Sequence, residues 1–215
     1  MTSDAPLTPD QMWQAVAVER TTLVQMLESL PEQDWDHNSL CAGWRVRDVA
    51  AHLVLSTNAN LAWILANVIR ARGNVNRAIR DTAIRHADHT TTSELISTLR
   101  EGIHQRVTPT GSTVADRLMD LVVHAQDIAM PLGIHRHVPA AAARSALDRI
   151  WTGGGFKAHK SFKYHLVATD ARWEAGEGPL IEGPAVSVLL LLSGRNAGRE
   201  PLFGEGATQL IAQGI

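Results

Sequence analysis

Apolar residues return every three to four positions over long stretches of the chain, and that rhythm predicts a mainly helical protein. Thr8-Pro9-Asp10-Gln11 offers a cap, a proline at the first helical position and a glutamine able to close a capping box. Trp13, Val16, Ala17, Leu23, Val24, Leu27 and Leu30 follow at helical spacing until Pro31 stops the run. A connector from Glu32 to Gly43 shows no period. From Trp44 a second, long helical pattern runs through Val46, Val49, Ala50, Leu53, Leu61, Ile64, Leu65 and Val68 to about Gly73. Asp48 falls in its first turn, where a carboxylate suits the positive end of the helix dipole. Residues 74 to 92 are polar and weakly patterned, and predict a long connection across one end of a bundle. A third helix is predicted from about Ser93 to Val107, with Leu95, Ile96, Leu99 and Ile103 inward; Thr108-Pro109-Thr110-Gly111 breaks it. Thr113 and Asp116 form another capping box, opening a fourth helix through Leu118, Leu121, Val122, Ile128 and Met130 to about Pro131. A fifth, alanine-rich helix starts at Pro139 and reaches Trp151.

After Gly153-Gly154-Gly155 the texture changes. Phe162 to Thr169 reads as a strand by alternation and valine content, and Leu180-Ile181 as a short edge strand. Gly183 to Ser193 reads as an apolar helix, and Thr208 to Ile211 as one more strand. The expected organisation is therefore a four-helix bundle over residues 1–138, a helix and linker over 139–160, and a small α+β domain over 161–215.

Composition narrows the function. With 45% hydrophobic and 20% charged residues in 215, the chain is an ordinary globular protein. A formal net charge of −2 gives no reason to expect nucleic acid or an anionic membrane as partner. No apolar run approaches the roughly eighteen residues of a membrane span, and the N-terminal residues lack the basic start and apolar core of a signal peptide. Cys41 is the single cysteine, so no internal disulfide can form and a reducing cytoplasm is the expected location. Ten histidines against one tyrosine and three phenylalanines turn attention to metal or proton chemistry.

Asp120 and His124 stand four apart on the fourth helix, so they share a face about 6 Å apart. A carboxylate and an imidazole so placed can chelate one ion from a bundle core. His52 sits in Val49-Ala50-Ala51-His52-Leu53, an apolar setting unusual for a solvent-facing histidine. It lies about seven residues, or roughly 10 Å, from the start of its helix. Asp120 is as deep in the fourth helix, so the depths match in either relative direction. Two nitrogens and one oxygen suit zinc, with nickel, iron or manganese as alternatives. Three protein ligands leave a coordination position open, the arrangement of catalytic sites. The plainer alternatives are a hydrogen-bonded core histidine and a local Asp–His contact.

Three blocks resemble a known family. Trp35 and Ser39-Leu40-Cys41-Ala42-Gly43-Trp44-Arg45-Val46-Arg47-Asp48-Val49-Ala50-Ala51-His52-Leu53 form the first. Asp120-Leu-Val-Val-His124-Ala-Gln-Asp127-Ile128-Ala129 with Gly133 forms the second. Leu166 to Trp173, then Gly183-Pro184-Ala185 through Leu192-Ser193-Gly194-Arg195, form the third. In this order they resemble the actinobacterial mycothiol-dependent maleylpyruvate isomerase family, one of the DinB/YfiT-like metal-binding bundles. The resemblance implies a mainly α fold, a DinB-like four-helix bundle with a small C-terminal α+β domain. It implies His52, Asp120 and His124 as ligands of a divalent metal, Zn2+ by preference. Arg195 matches an arginine that serves activity and the thiol cofactor from the C-terminal domain. Asp127 matches a family aspartate that would orient His124, and Cys41 a position where relatives often have cysteine, here a small buried hydrophobe or a redox thiol. Implied as partners are mycothiol, as a metal-bound thiolate, and a small electrophile undergoing S-transfer or cis–trans isomerisation, in a monomer or homodimer. Metal-activated hydrolysis and non-catalytic metal binding or sensing are the alternatives. Two departures stand out: the isomerase has glutamate where Asp120 stands, and Arg45 replaces a frequent Ser or Thr cap.

Overall fold

The computed structural model describes residues 6–58, 61–109, 111–153 and 162–212. Helix α1 (Pro9–Glu28) starts at the Thr8 capping box and buries Val16, Leu23, Val24 and Leu27 along one stripe. A 3-10 turn over Glu32–Asp36 drives Trp35 into the core. Helix α2 (Val46–Asn58) follows, then α3 (Leu61–Arg70) and α4 (Val75–Asp88). The long helical pattern is thus helical on both sides of residues 59–60, and it ends at Gly73, whose φ of +82° needs a glycine.

Helix α4 corrects the expected connection over 74–92. Asn74 caps it by accepting from the Arg77 N–H, and its buried face is Ala78, Thr82, Ala83 and Ala87. A face of alanines carries little hydropathy, so the segment looks polar although it packs on α2.

Helix α5 (Thr92–Glu101) has a Thr91–Glu94 capping box, and α6 (Val114–Ala129) has the predicted Thr113–Asp116 box. Helix α1 packs on α5 and α6, and both of these pack on α2, which closes a ring of four. This is the expected four-helix bundle, with the α3–α4 pair added outside α2 and α7 (Ala140–Trp151) outside α6. Helix α6 is covered on all sides: every residue from Arg117 to Ala129 is buried except Asp120.

The α+β part is a three-stranded sheet in the order β2-β1-β3. Strand β1 (His165–Ala168) runs antiparallel to β2 (Trp173–Ala175), a strand too short to show in the sequence, and parallel to β3 (Leu180–Gly183). The β1–β3 crossing places Leu166 and Ile181, both fully buried, beside each other. Helix α8 (Ala185–Leu192), apolar nearly all round, packs between this sheet and α7 and fuses the two parts into one core. Residues 208–211, expected as a strand, belong instead to helix α9 (Glu205–Ala212), which packs on β3 through Ala207 and Leu210. The Gly154 and Gly155 break lies outside the described residues. Among the described residues no helix is long and apolar enough to cross a membrane.

Candidate metal centre

His52 reaches the bundle interior from the middle of α2, nearly two turns past a start built without a side-chain cap at Arg45. Asp48 replaces that cap: its Oδ2 accepts from the Arg45 backbone N–H at 2.8 Å, and its two oxygens receive the Arg45 guanidinium at 3.0 and 2.9 Å. The Ser or Thr missing at this position is thus replaced by a reversed arrangement in which the third helical residue holds the first turn.

Across from it, α6 projects Asp120 and His124 from consecutive turns. The Nε2 atoms of His52 and His124 stand 3.7 and 3.4 Å from the same Asp120 oxygen. The three donor atoms lie within 4.8 Å of one another, so the three residues singled out in the sequence converge on one point. The imidazoles meet edge to face, with ring centres 4.9 Å apart. Trp44 backs both, 5.3 Å from His52 and 6.2 Å from His124.

These donors fit a small ion. Bonds of about 2.0–2.1 Å in a tetrahedron put neighbouring ligand atoms about 3.4 Å apart, close to the separations seen between Asp120 and the two imidazoles. Nitrogen and carboxylate donors without thiolate match zinc and the divalent metals near it.

His124 is further constrained on its other nitrogen. Nδ1 lies 2.9 Å from Asp127 Oδ2, which leaves Nε2 to face Asp120 and His52. Carboxylate partners of this kind fix the tautomer and the ring plane of a metal-binding histidine. Asp127 is fully buried, and Arg195 grips it from the C-terminal part with Nε at 3.0 Å from Oδ1 and Nη2 at 2.8 Å from Oδ2. Helix α8 aims that guanidinium by ending in a Schellman turn. Gly194 takes φ +80°, its N–H donates to Leu191, and the Arg195 N–H reaches back to Leu190 at 2.8 Å. The arginine fork expected to serve activity and the thiol cofactor is therefore engaged by Asp127, and Nη1 donates to the Ser193 carbonyl at 2.7 Å.

Cys41 is half-buried and polar in its contacts. Its thiol donates to Asp127 Oδ2 at 3.0 Å and lies 3.6 Å from His124 Nδ1. The connector that carries it is pinned to α6 by the Leu40 N–H, which donates to the Asp127 carbonyl at 3.0 Å. Cys41, His124 and Asp127 are a second set of potential metal donors, but Asp127 is already committed to His124 and Arg195.

Charge is tightly balanced here. Burial works against ionisation of Asp120, yet the His124 and His52 imidazoles hold its carboxyl well below the usual range. Burial alone would lower His124; the Asp120 and Asp127 carboxylates outweigh it and hold the imidazole well above its ordinary value. Asp127 likewise resists burial through His124 and Arg195 and stays far below the carboxylate range.

A cavity of about 620 Å³ opens over the triad and is lined by Cys41, Trp44, His52, Arg117, Asp120 and His124. Sequence reasoning missed Arg117. It is buried, donates from Nη1 to Ser56 Oγ at 2.6 Å and from Nη2 to the Ser56 carbonyl, and stands 3.7 Å from Asp120 Oδ2. Its position three residues before Asp120, on the same helix face, was the available signal. Other histidines lie elsewhere: His89, His135 and His137 are exposed, and His86 is half-buried on α4.

Fold and donor geometry define a helical bundle with a candidate metal centre at its core, completed from a C-terminal α+β lobe. Residues 16–109 match the family model described as the mycothiol maleylpyruvate isomerase N-terminal domain, the family that the sequence blocks resemble. The fold is shared with the crystal structure of the mycothiol-dependent maleylpyruvate isomerase, at a TM-score of 0.53 and 15% identity over 96% of this chain and 97% of that one. A histidine-to-alanine mutant of that enzyme superposes with a TM-score of 0.52 at 14% identity over the same shares. No curated protein matches the sequence.

Proposed function

We propose that the chain is a metal-dependent enzyme, with zinc as the ion, that applies a low-molecular-weight thiol such as mycothiol to a small electrophilic substrate. The observation that carries this is the convergence of three donors on one wall of a cavity with space on the other side. His52, Asp120 and His124 would hold the ion. When bound there, a divalent metal supplies a Lewis acid that lowers the pKa of a thiol below its free value of about 8.5. The chain's own residues do the rest. Asp127 keeps the His124 ring in the tautomer that offers Nε2 inward, and Arg195 holds Asp127 ionised, so Arg195 acts as a positioning residue through that carboxylate. Trp44 shields one side of the two imidazoles from water, and Arg117 supplies positive charge to the cavity beside Asp120.

The thiol sulfur would bond to a substrate carbon as a π bond opens or a halide leaves. Release of that product is S-transfer, whereas rotation about the former double bond and expulsion of the thiolate would restore the bond as the other isomer. The enzyme named by the structural relatives suggests maleylpyruvate as the first substrate to try. The test is to measure metal content after purification without chelator or nickel resin, then turnover of chlorodinitrobenzene and of maleylpyruvate with and without mycothiol. Thiol-dependent turnover by the metal-loaded protein, lost together with the metal in His52→Ala, is the expected result. Stoichiometric metal in His52→Ala would remove the ligand assignment. Thiol-independent ester cleavage would replace the thiol reaction by hydrolysis, and a metal-loaded protein inert in every assay would leave a binding module.

A further inference from the structure

A second, smaller cavity of about 200 Å³ adjoins the metal-site cavity, walled by α2, α3 and α4. Its apolar lining is Leu55, Val68, Val75, Ala78 and Ile79. The two cavities share His52, Ser56, Ile79 and Pro109. The space therefore begins at the back of a proposed ligand. Polar groups on its wall are turned to one another: Thr82 Oγ1 donates to Asn67 Oδ1 at 3.1 Å, and Arg85 Nη2 donates to both, at 3.0 and 3.1 Å. Val75 and Ile79 are 53% and 43% exposed, so the cavity opens along that edge of α4, and Ile79 stands where the two spaces meet.

Size and chemistry both select what can enter. An apolar cavity of about 150 Å³ stays dry and takes up benzene. The space beside His52 is close to that one in size and mainly apolar, although it opens at Val75 and Ile79, and a charged group seated against its apolar walls would lose water without recompense.

We infer that this cavity is the binding subsite for an apolar group, a ring or a short alkyl chain, carried by the electrophile that reacts beside His52. The inference rests on the metal and thiol chemistry proposed above and adds the substrate class: an electrophile with a hydrocarbon substituent, in contrast to a compact polyacid. Each methylene seated in the cavity strengthens binding about fourfold, the equivalent of about 0.8 kcal/mol, until the space is full.

Two measurements test it. Fluorobenzene titrated into the full-length, metal-loaded protein is followed by fluorine NMR, a readout independent of turnover. A saturable shift is expected, lost in Ala78→Leu, which fills the cavity from α4. Val68→Phe fills it from α3 and serves if Ala78→Leu does not melt as a folded protein. In parallel, kcat/KM for thiol conjugation is measured across N-alkyl iodoacetamides from methyl to hexyl, and is expected to rise about fourfold per carbon before levelling. No saturable shift in the wild-type protein overturns the subsite, whatever the thiol chemistry does. A saturable shift with a flat alkyl series also overturns it, because the cavity then serves something other than the substrate. Absence of conjugation with every electrophile removes the proposed activity instead, while the fluorobenzene titration still decides whether the cavity binds apolar groups.

Discussion

Asp127→Asn isolates the contact on which the geometry of the metal centre turns. Asparagine keeps the volume of Asp127 but has no charge and only one oxygen for the four donor groups, from Cys41, His124 and Arg195, that converge on the carboxylate. Breaking one side of a buried ion pair costs about 3–5 kcal/mol, mostly because the remaining charge is left uncompensated. The Arg195 side chain keeps 11% exposure and its bond to the Ser193 carbonyl, which places the expected loss at the lower end. A loss of about 3 kcal/mol in a chain of this size lowers the melting midpoint by roughly 6–12 °C. The second effect is on the ion: losing the partner of His124 Nδ1 weakens metal affinity by about 10–100-fold. Thermal unfolding of chelator-treated protein reads the first effect, and competition with a chromophoric chelator reads the second. The two separate in the double variant. Asp127→Asn with Arg195→Leu removes the stranded guanidinium and should regain much of the stability, but not the metal affinity. If Asp127→Asn melts within about 2 °C of the wild type and binds metal equally well, Asp127 neither braces Arg195 nor orients His124, and the reasoning fails.

Two further outcomes follow from charge. Asp120 and Asp127 raise the pKa of His124 well above its usual value against the effect of burial, so a proton on the ring competes with an ion at Nε2. Metal uptake at pH 7 should therefore release about one proton, read by calorimetry in buffers of different ionisation heat, and affinity should rise with pH; uptake without proton release would contradict the pairing. Burial works against ionisation of Asp116, but Arg149 at 2.6 Å and the Thr113 cap lower its pKa. Its stabilisation is thus present above the unfolded value of about 3.9 and lost as pH falls through the lower folded value. Asp116→Asn should lower the melting midpoint at pH 7 and flatten its decline between about pH 5 and 3; an unchanged acid profile would show that the carboxylate is not linked to folding.

How much of this was legible in the sequence depended on the strength of local signals. Capping boxes at Thr8 and Thr113 fixed two helices because each satisfies donors that the first turn must lose, and Pro139 marked the start of α7 through its fixed φ and missing N–H. Helix α4 was hidden by its alanines, although the Asn74 cap was there to be read. Helix α9 was hidden by a short apolar run that suits strand or helix equally. At the site, the depths of His52, Asp120 and His124 in their helices were readable from counting, since helical rise is regular. The contacts of Arg195 and Cys41 with Asp127 were not, because they join positions 68 and 86 residues apart through a tertiary fold that no local pattern encodes.

The Schellman turn at Gly194 carries a consequence for biosynthesis. All three donors have left the ribosome long before residue 195, so a nascent chain already owns its triad while Asp127 still lacks its guanidinium. Until the α+β lobe docks, His124 is steered by a carboxylate that lacks the Arg195 counter-charge. A chain cut short after α7 would keep the donors but not that brace, so maturation of the centre waits until residue 195 has been made and its lobe has docked.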